Sequence, residues 1–213
     1  MSDLIYIFKV IFVGDMAVGK SSILSRFIDN KFSTDIPNTV GVQFRNKMFE
    51  ITNQKISIHI WDTAGEEKFR AVTRSYYRET VCVFLVYDVT RRETFNSLQG
   101  WLNDAREYSH PNAIITLIGN KIDMGTREVT QNEGVKFSQK HGLNYFETSA
   151  KDGINIEKSC SDTIGYIYQR VQDGDFDDYV KKQKLELSES FLNQDLDIYE
   201  NGGNEEKKSS KCC

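Results

Sequence analysis

Several things are scarce in this 213-residue chain, and each scarcity removes a class of function. There are only three histidines, His59, His110 and His141, and their spacing matches no set of metal ligands. There are four cysteines: Cys82 in an apolar run, Cys160 in a helix-like segment and the adjacent pair Cys212-Cys213. None of these spacings suits a zinc site, and the two internal thiols read as core residues of a reducing compartment. No apolar run is long enough to cross a bilayer. Leu4 to Val13 is apolar enough to suggest a secretory leader, but Lys9 interrupts it and Asp3 stands where a basic segment belongs, so it reads as a first strand. Excess positive charge is absent as well. The net charge is −4, which argues against a general nucleic-acid binder. No internal repeat is present. What remains is 39% hydrophobic content, enough for one globular domain with a substantial core and some tail.

One stretch organises the chain. Gly14-Asp15-Met16-Ala17-Val18-Gly19-Lys20-Ser21 fits G-x-x-x-x-G-K-[ST], a phosphate-cradling loop. An apolar run, Ile5 to Val13, precedes it, and a helical segment, Ser22 to Asp29, follows. Gly14 and Gly19 let the backbone turn its N–H groups onto phosphate oxygens, and the helix N-terminus adds partial positive charge. Lys20 is placed for the β- and γ-phosphates and Ser21 for a Mg²⁺ ion. The motif indicates a nucleoside triphosphate without specifying the base.

The rest of the chain alternates strands with helices. Leu4–Val13, Gln43–Ile51, Ile56–Trp61, Val81–Tyr87, Ala113–Ile118 and Tyr145–Glu147 read as strands, with Asn53 turning the second into the third. Helical patterns run from Glu93 to Tyr108, Gln131 to Lys140 and Ile154 to Val171. Thr130 and Glu133 form a capping box at the start of the second of these. Lys31–Val40 and Asp62–Tyr77 read as a loop and as a loop or irregular helix. This order predicts an α/β doubly wound sheet with its sites at the strand C-terminal ends. Domain boundaries are set at 1–173 for the globular part and 174–213 for a flexible tail. The tail holds ten acids and six bases against 21 of each in the rest. It is polar, contains Gly202-Gly203, and has scattered apolar residues from Leu185 to Ile198.

Further residues bear on the nucleotide. Asp62-Thr63-Ala64-Gly65 ends an alternating strand. Asp62 is suited to hold Mg²⁺ through a water opposite Ser21, Gly65 to bring its N–H against a γ-phosphate, and Thr39 to add a second hydroxyl to the metal. Asn120-Lys121-Ile122-Asp123 follows the fifth strand. The Asp123 carboxylate accepts two hydrogen bonds side by side, which matches N1–H and the 2-amino group of guanine; adenine offers an acceptor there. In Thr148-Ser149-Ala150-Lys151, the N–H of Ala150 can meet guanine O6.

With these motifs in this order the chain resembles small GTPases of the Ras superfamily, specifically the Rab family, over about residues 6–171. Thr39-Val40-Gly41-Val42-Gln43-Phe44, Trp61-Asp62-Thr63-Ala64-Gly65, Lys68-Phe69-Arg70, Ser75-Tyr76-Tyr77-Arg78 and Val86-Tyr87-Asp88 carry the Rab-type likeness. The resemblance implies a P-loop G domain, with a six-stranded, mostly parallel sheet, one antiparallel strand and helices on both faces. It implies a GTP/GDP switch that hydrolyses GTP and recruits effectors in vesicle traffic, with Mg²⁺ as cofactor. Nucleotide contacts would involve Gly14 to Ser22, Phe32 edge-on to the base, Thr39, Gly65, Asn120, Lys121, Asp123, Ser149, Ala150 and Lys151. The metal would lie at Ser21, Thr39 and Asp62, and Lys20, Gly65 and Glu66 would act in hydrolysis. Lys31–Gly41 and Asp62–Arg78 would be the two switches. Phe44, Trp61 and Tyr76 would face effectors.

Two residues depart from the family pattern. Glu66 stands where a glutamine usually orients water. Glutamate is a better base, but it places an anion beside an anion. Two such charges about 4 Å apart repel by about 4 kcal/mol at an effective dielectric near 20. Met16 stands where a small residue is usual and would crowd a group inserted by an activating protein, an insertion that accelerates hydrolysis by about 10³–10⁵ in relatives. Both departures raise an alternative, a hydrolysis-poor, mainly GTP-bound scaffold. The terminal Cys212-Cys213 resembles a double-geranylgeranylation signal, and two lipid chains anchor stably where one does not. The resemblance thus implies a monomer that cycles between cytoplasm and the cytosolic face of a membrane. Its partners would be effectors, an exchange factor, an activating protein, a GDP-dissociation inhibitor and a prenylation escort, with no nucleic acid.

Overall fold

The structure, a computed structural model, describes residues 5–34, 39–65 and 70–184. Strands β1 (Ile5–Val13), β2 (Val42–Ile51), β3 (Gln54–Thr63), β4 (Cys82–Asp88), β5 (Ile114–Asn120) and β6 (Asn144–Thr148) form one sheet in the order β2-β3-β1-β4-β5-β6. β1 pairs in parallel with both β3 and β4, β4 with β5, and β5 with β6; β2 and β3 are antiparallel. Helices α1 (Lys20–Asp29), α2 (Arg70–Tyr77), α3 (Arg92–Asn96), α4 (Leu98–Tyr108), α5 (Gln131–His141) and α6 (Ile156–Gln172) connect and cover it. This is the expected six-stranded, mostly parallel sheet, consistent with a P-loop G domain.

The run of apolar residues in β1 and β4 follows from burial on both sheet faces. Ile11, Val13, Val83, Leu85 and Leu117 share one core cluster with Leu98, Trp101, Leu102 and Ala105 of α4. Phe8, Val10, Phe12, Ile58, Ile60 and Phe84 face the other way, where Phe12 stacks on Phe84 with centroids 4.5 Å apart. The α1 and α6 helices lie against that side, touching β3 and β5. At its far end the β2–β3 hairpin turns in two residues, Thr52 (φ 48°) and Asn53 (φ 63°), both left-handed, as the tightest hairpin turn requires.

Two elements differ from the sequence reading. The helical pattern from Glu93 to Tyr108 is two helices, divided at Ser97. The Ser97 hydroxyl donates to the Glu93 carbonyl at 3.0 Å, which also accepts the Ser97 N–H at 3.0 Å, a side-chain back-bond of the kind that bends helices. The tail, expected to be flexible from 174, begins with a helix at 177–184. Asp177 and Asp178 stand in its first turn, where negative charge complements the helix dipole. The chain divides after Asp175, and Met1–Asp175 contains the whole sheet.

The α5 cap is as read. Thr130 accepts from the Glu133 N–H and the Glu133 carboxylate accepts from the Thr130 N–H at 2.9 Å. Thr130→Ala is expected to lower stability by about 1 kcal/mol in denaturant titration. A midpoint unchanged from wild type would show the box to be redundant.

Candidate functional site

Five parallel strands end on the same edge of the sheet, so the loops after Val13, Thr63, Asp88, Asn120 and Thr148 converge there. The sheet order reverses across β1, the position where open α/β sheets hold ligands. A cavity of about 430 Å³ lies among these loops. Met16, Ala17, Gly19, Lys20, Ser21 and Ser22 of the first loop and α1 line it, with Thr39 and Gly65 beside them, as do Phe32 and, from the loops after β5 and β6, Asn120, Lys121, Asp123, Ala150 and Lys151.

The first loop is tight. Gly14 has φ 137°, and a Cβ there would lie 2.1 Å from the Val86 carbonyl oxygen. Gly19, at φ 100°, begins α1, so the unpaired N–H groups of a helix start face the loop. Lys20 is only 5% exposed, and its ammonium donates to the carbonyls of Gly14 (2.8 Å) and Asp15 (2.9 Å). Desolvation lowers its pKa to about 8, against the pull of Asp62 and Asp15. The Trp101 indole N–H donates to Asp15 at 2.7 Å, and an Arg91 guanidinium N–H to the Met16 carbonyl at 2.7 Å. The segment after β3 presses on this loop: a Cβ on Gly65 would lie 2.4 Å from backbone atoms of Asp15 and Met16.

Beside Lys20 three oxygens from three separate segments meet. The Ser21 hydroxyl donates to Asp62 Oδ2 at 2.5 Å, so its proton is spent and Thr39, 2.9 Å away, donates to it. Asp62 is 2% exposed, and burial raises its pKa. Its Oδ1 is buried with no hydrogen-bond partner among the described residues. An orphaned carboxylate oxygen beside two hydroxyls is a hard-oxygen donor set, which fits Mg²⁺ completed by ligand oxygens and water. Among the described residues no cluster of three His, Cys, Asp or Glu side chains is placed to hold a metal.

At the other end Asn120 braces two loops. Its amide donates to the Val18 carbonyl at 2.9 Å, and its oxygen accepts from the Thr148 hydroxyl (3.1 Å) and the Ala150 N–H (3.3 Å). The Lys121 ammonium donates to the Ala17 carbonyl at 2.7 Å and pairs with buried Asp88 at 2.7 Å. The Asp88 pKa is lowered: burial, the largest influence, pushes up, but bonds from Lys121 and Thr90 together outweigh it. Ser149 donates to Asp123 Oδ1 at 2.7 Å.

The expected nucleotide and metal residues therefore fall into two groups. Most line the cavity, but Gly14, Asp15, Val18, Asp62 and Ser149 stand behind its wall. Glu66 and Cys212-Cys213 lie outside the described residues. Asp88 and Arg91 were missed. The one available signal was an acid closing an otherwise apolar strand. Away from the cavity Phe44 is 54% exposed, with its ring 5.0 Å from that of half-buried Trp61, and Tyr76 packs on the same core cluster as Trp61. The Lys9 ammonium sits 4.7 Å over the Trp61 ring and donates to the Arg78 carbonyl at 2.7 Å, joining β1, β3 and the end of α2.

Comparison with known families agrees with this geometry. Residues 9–169 match the Ras family, a span that begins in β1 and ends in α6. The chain belongs to the Ras family, and is a small GTPase, a switch that binds GTP and GDP and turns the first into the second.

Proposed function

We propose that the protein is a Rab-type switch that recruits effectors to membranes in vesicle traffic. The observation that carries the switch is the meeting of Ser21, Thr39 and Asp62, which joins the first loop, the segment before β2 and the end of β3. A Mg²⁺ ion there would neutralise phosphate charge. Thr39 and Gly65 hold their segments against the γ-phosphate end of the cavity, and loss of that phosphate releases both. Phe44, Trp61 and Tyr76 lie on the surface those segments border. The Rab-type segments and Cys212-Cys213 support the subfamily and the lipid anchor, and thus a cycle between cytoplasm and membrane with the exchange factor, activating protein, dissociation inhibitor and escort of that family. Thr39→Asn is expected to abolish GTP-dependent partner capture while retaining GDP. Equal capture by both nucleotide forms of the wild type would overturn the switch. Intact mass of protein from its native cells tests the anchor, which needs the mass of two prenyl groups.

Lys20 gives the site a pH dependence. In the nucleotide-free site it is pushed to about 8 by desolvation, and phosphate charge beside it would raise it. Above pH 8 binding must therefore take up a proton. GDP affinity is expected to be level below pH 8 and to fall about tenfold per unit above it, until the bound-state pKa is reached. Titration of affinity from pH 7 to 10 checks this; the same slope in Lys20→Met would assign it to another group.

A second reading, a scaffold that holds GTP and scarcely hydrolyses it, is favoured by Met16, 43% exposed on the cavity wall, and by Glu66 in sequence. Single-turnover hydrolysis of pre-loaded GTP, beside Glu66→Gln, decides between them. A wild-type rate at or above the variant's supports the self-timed switch, and turnover only in the variant supports the scaffold.

A further inference from the structure

Arg26 lies in α1, six residues beyond Lys20, and its guanidinium reaches a loop 124 positions away in sequence. Its Nε donates to the Ala150 carbonyl at 2.9 Å and its Nη2 to the Lys151 carbonyl at 2.7 Å. Its Nη1 donates to the backbone carbonyl of Asn30 at 3.1 Å and to its side-chain oxygen at 3.2 Å. Asn30 is the left-handed residue closing α1, so the guanidinium is anchored to its own helix while its other nitrogens grip the loop. Other ties of that loop run from the Ser149 N–H to the Ile154 carbonyl (3.1 Å), from the Ser149 hydroxyl to Asp123, from the Asp152 N–H to the Ser149 hydroxyl (2.9 Å), and from the Thr148 hydroxyl and the Ala150 N–H to Asn120 Oδ1. Arg26 alone among these holds two successive carbonyls, those of Ala150 and Lys151.

We infer that Arg26 is a positioning residue for base recognition: by holding the Ala150 and Lys151 carbonyls it aims the Ala150 N–H at the 6-oxygen of guanine. This rests on the proposed reading of the cavity as a guanine site. Among the described residues the Ala150 N–H has one acceptor, Asn120 Oδ1, at a long 3.3 Å, which leaves its direction to be set by the peptides around it. A planar fork with donors in fixed directions suits this task better than a lysine ammonium, whose three donors rotate about one nitrogen. Because Arg26 belongs to the helix that starts with Lys20 and Ser21, the phosphate end and the base end of the site share one rigid element.

The test compares release of three diphosphates from the full chain: GDP, 6-thio-GDP, whose sulfur is a weaker acceptor, and IDP, which lacks the 2-amino group. Wild type is expected to release both analogues faster than GDP. In Arg26→Gln, GDP release rises about tenfold, the loss of about one well-oriented hydrogen bond. The ratio of 6-thio-GDP to GDP release falls towards one, while the IDP to GDP ratio stays at its wild-type value, which shows that Asp123 and the site around it are intact. Arg26→Lys is expected to fall between the two. Equal acceleration of all three nucleotides in Arg26→Gln, or none, overturns the proposal. A wild type that releases 6-thio-GDP no faster than GDP overturns the reading of the 6-oxygen beneath it, whatever the variant does.

Discussion

Asp123→Asn is expected to weaken GTP binding by about a thousandfold and to create a preference for xanthine nucleotides. On the proposed reading of Asp123 as the acceptor for guanine, two hydrogen bonds are at stake, and a site built around such a group leaves donors unpaired when the group changes. Ser149 makes the direction of the change specific. Its hydroxyl donates to Oδ1, so an asparagine at 123 keeps its oxygen there and presents its amide nitrogen at the Oδ2 position. Guanine would then set its 2-amino group against another donor. Xanthine has a carbonyl at that place and keeps N1–H, so both bonds are restored. Competition between GDP and XDP for nucleotide-free protein measures the exchange. Unchanged GTP affinity would mean that the base is read by other groups.

The second large effect concerns Gly14. Gly14→Ala is expected to cost about 3–5 kcal/mol. A side chain at φ 137° costs about 1–3 kcal/mol, and forcing a methyl into filled space about as much again. The atom in the way is the Val86 carbonyl oxygen at 2.1 Å, part of the β4 backbone, and cannot rotate aside as a side-chain tip would. For a chain of this size the melting temperature should fall by about 10 °C. Gly41→Ala is the control: it also has positive φ, 73°, but a Cβ there meets nothing within 4 Å, so only the backbone cost of about 1 kcal/mol applies. Equal melting temperatures for the two variants would show that the first loop yields where its packing says it cannot.

Much of this arrangement was readable from residues alone, for definable reasons. β1 and β4 are apolar but for Lys9 and Asp88 because both sheet faces are covered, and the α5 cap is a local pattern whose donors and acceptors are three residues apart. The loop from Gly14 to Ser21 and the segments at Asn120 and Thr148 are short strings that fall on strand ends. What could not be read depends on pairs far apart in the chain. Trp101 holding Asp15 spans 86 positions, and Arg26 holding Ala150 spans 124. No periodicity encodes either. The division at Ser97 was hidden for the opposite reason: apolar spacing continues through it, and only the hydroxyl's choice of the Glu93 carbonyl marks the break.

The β2–β3 hairpin pairs without interruption from Val42 opposite Thr63 to Ile51 opposite Gln54. That unbroken ladder makes strand length a heritable constraint. Deleting one residue from the middle of β2 would turn the stretch beyond it over, sending Lys47 and Phe49 outward and Met48 inward. Lys47 would lose its seat over the Phe27 ring and its bond to the Phe27 carbonyl. Added residues at Thr52-Asn53 disturb none of this, since the turn lies at the opposite end of the ladder. Changes of length during descent should therefore collect at residues 52–53 and be purged from 42–51, and a reporter peptide spliced into the chain should be tolerated at the first place and not at the second.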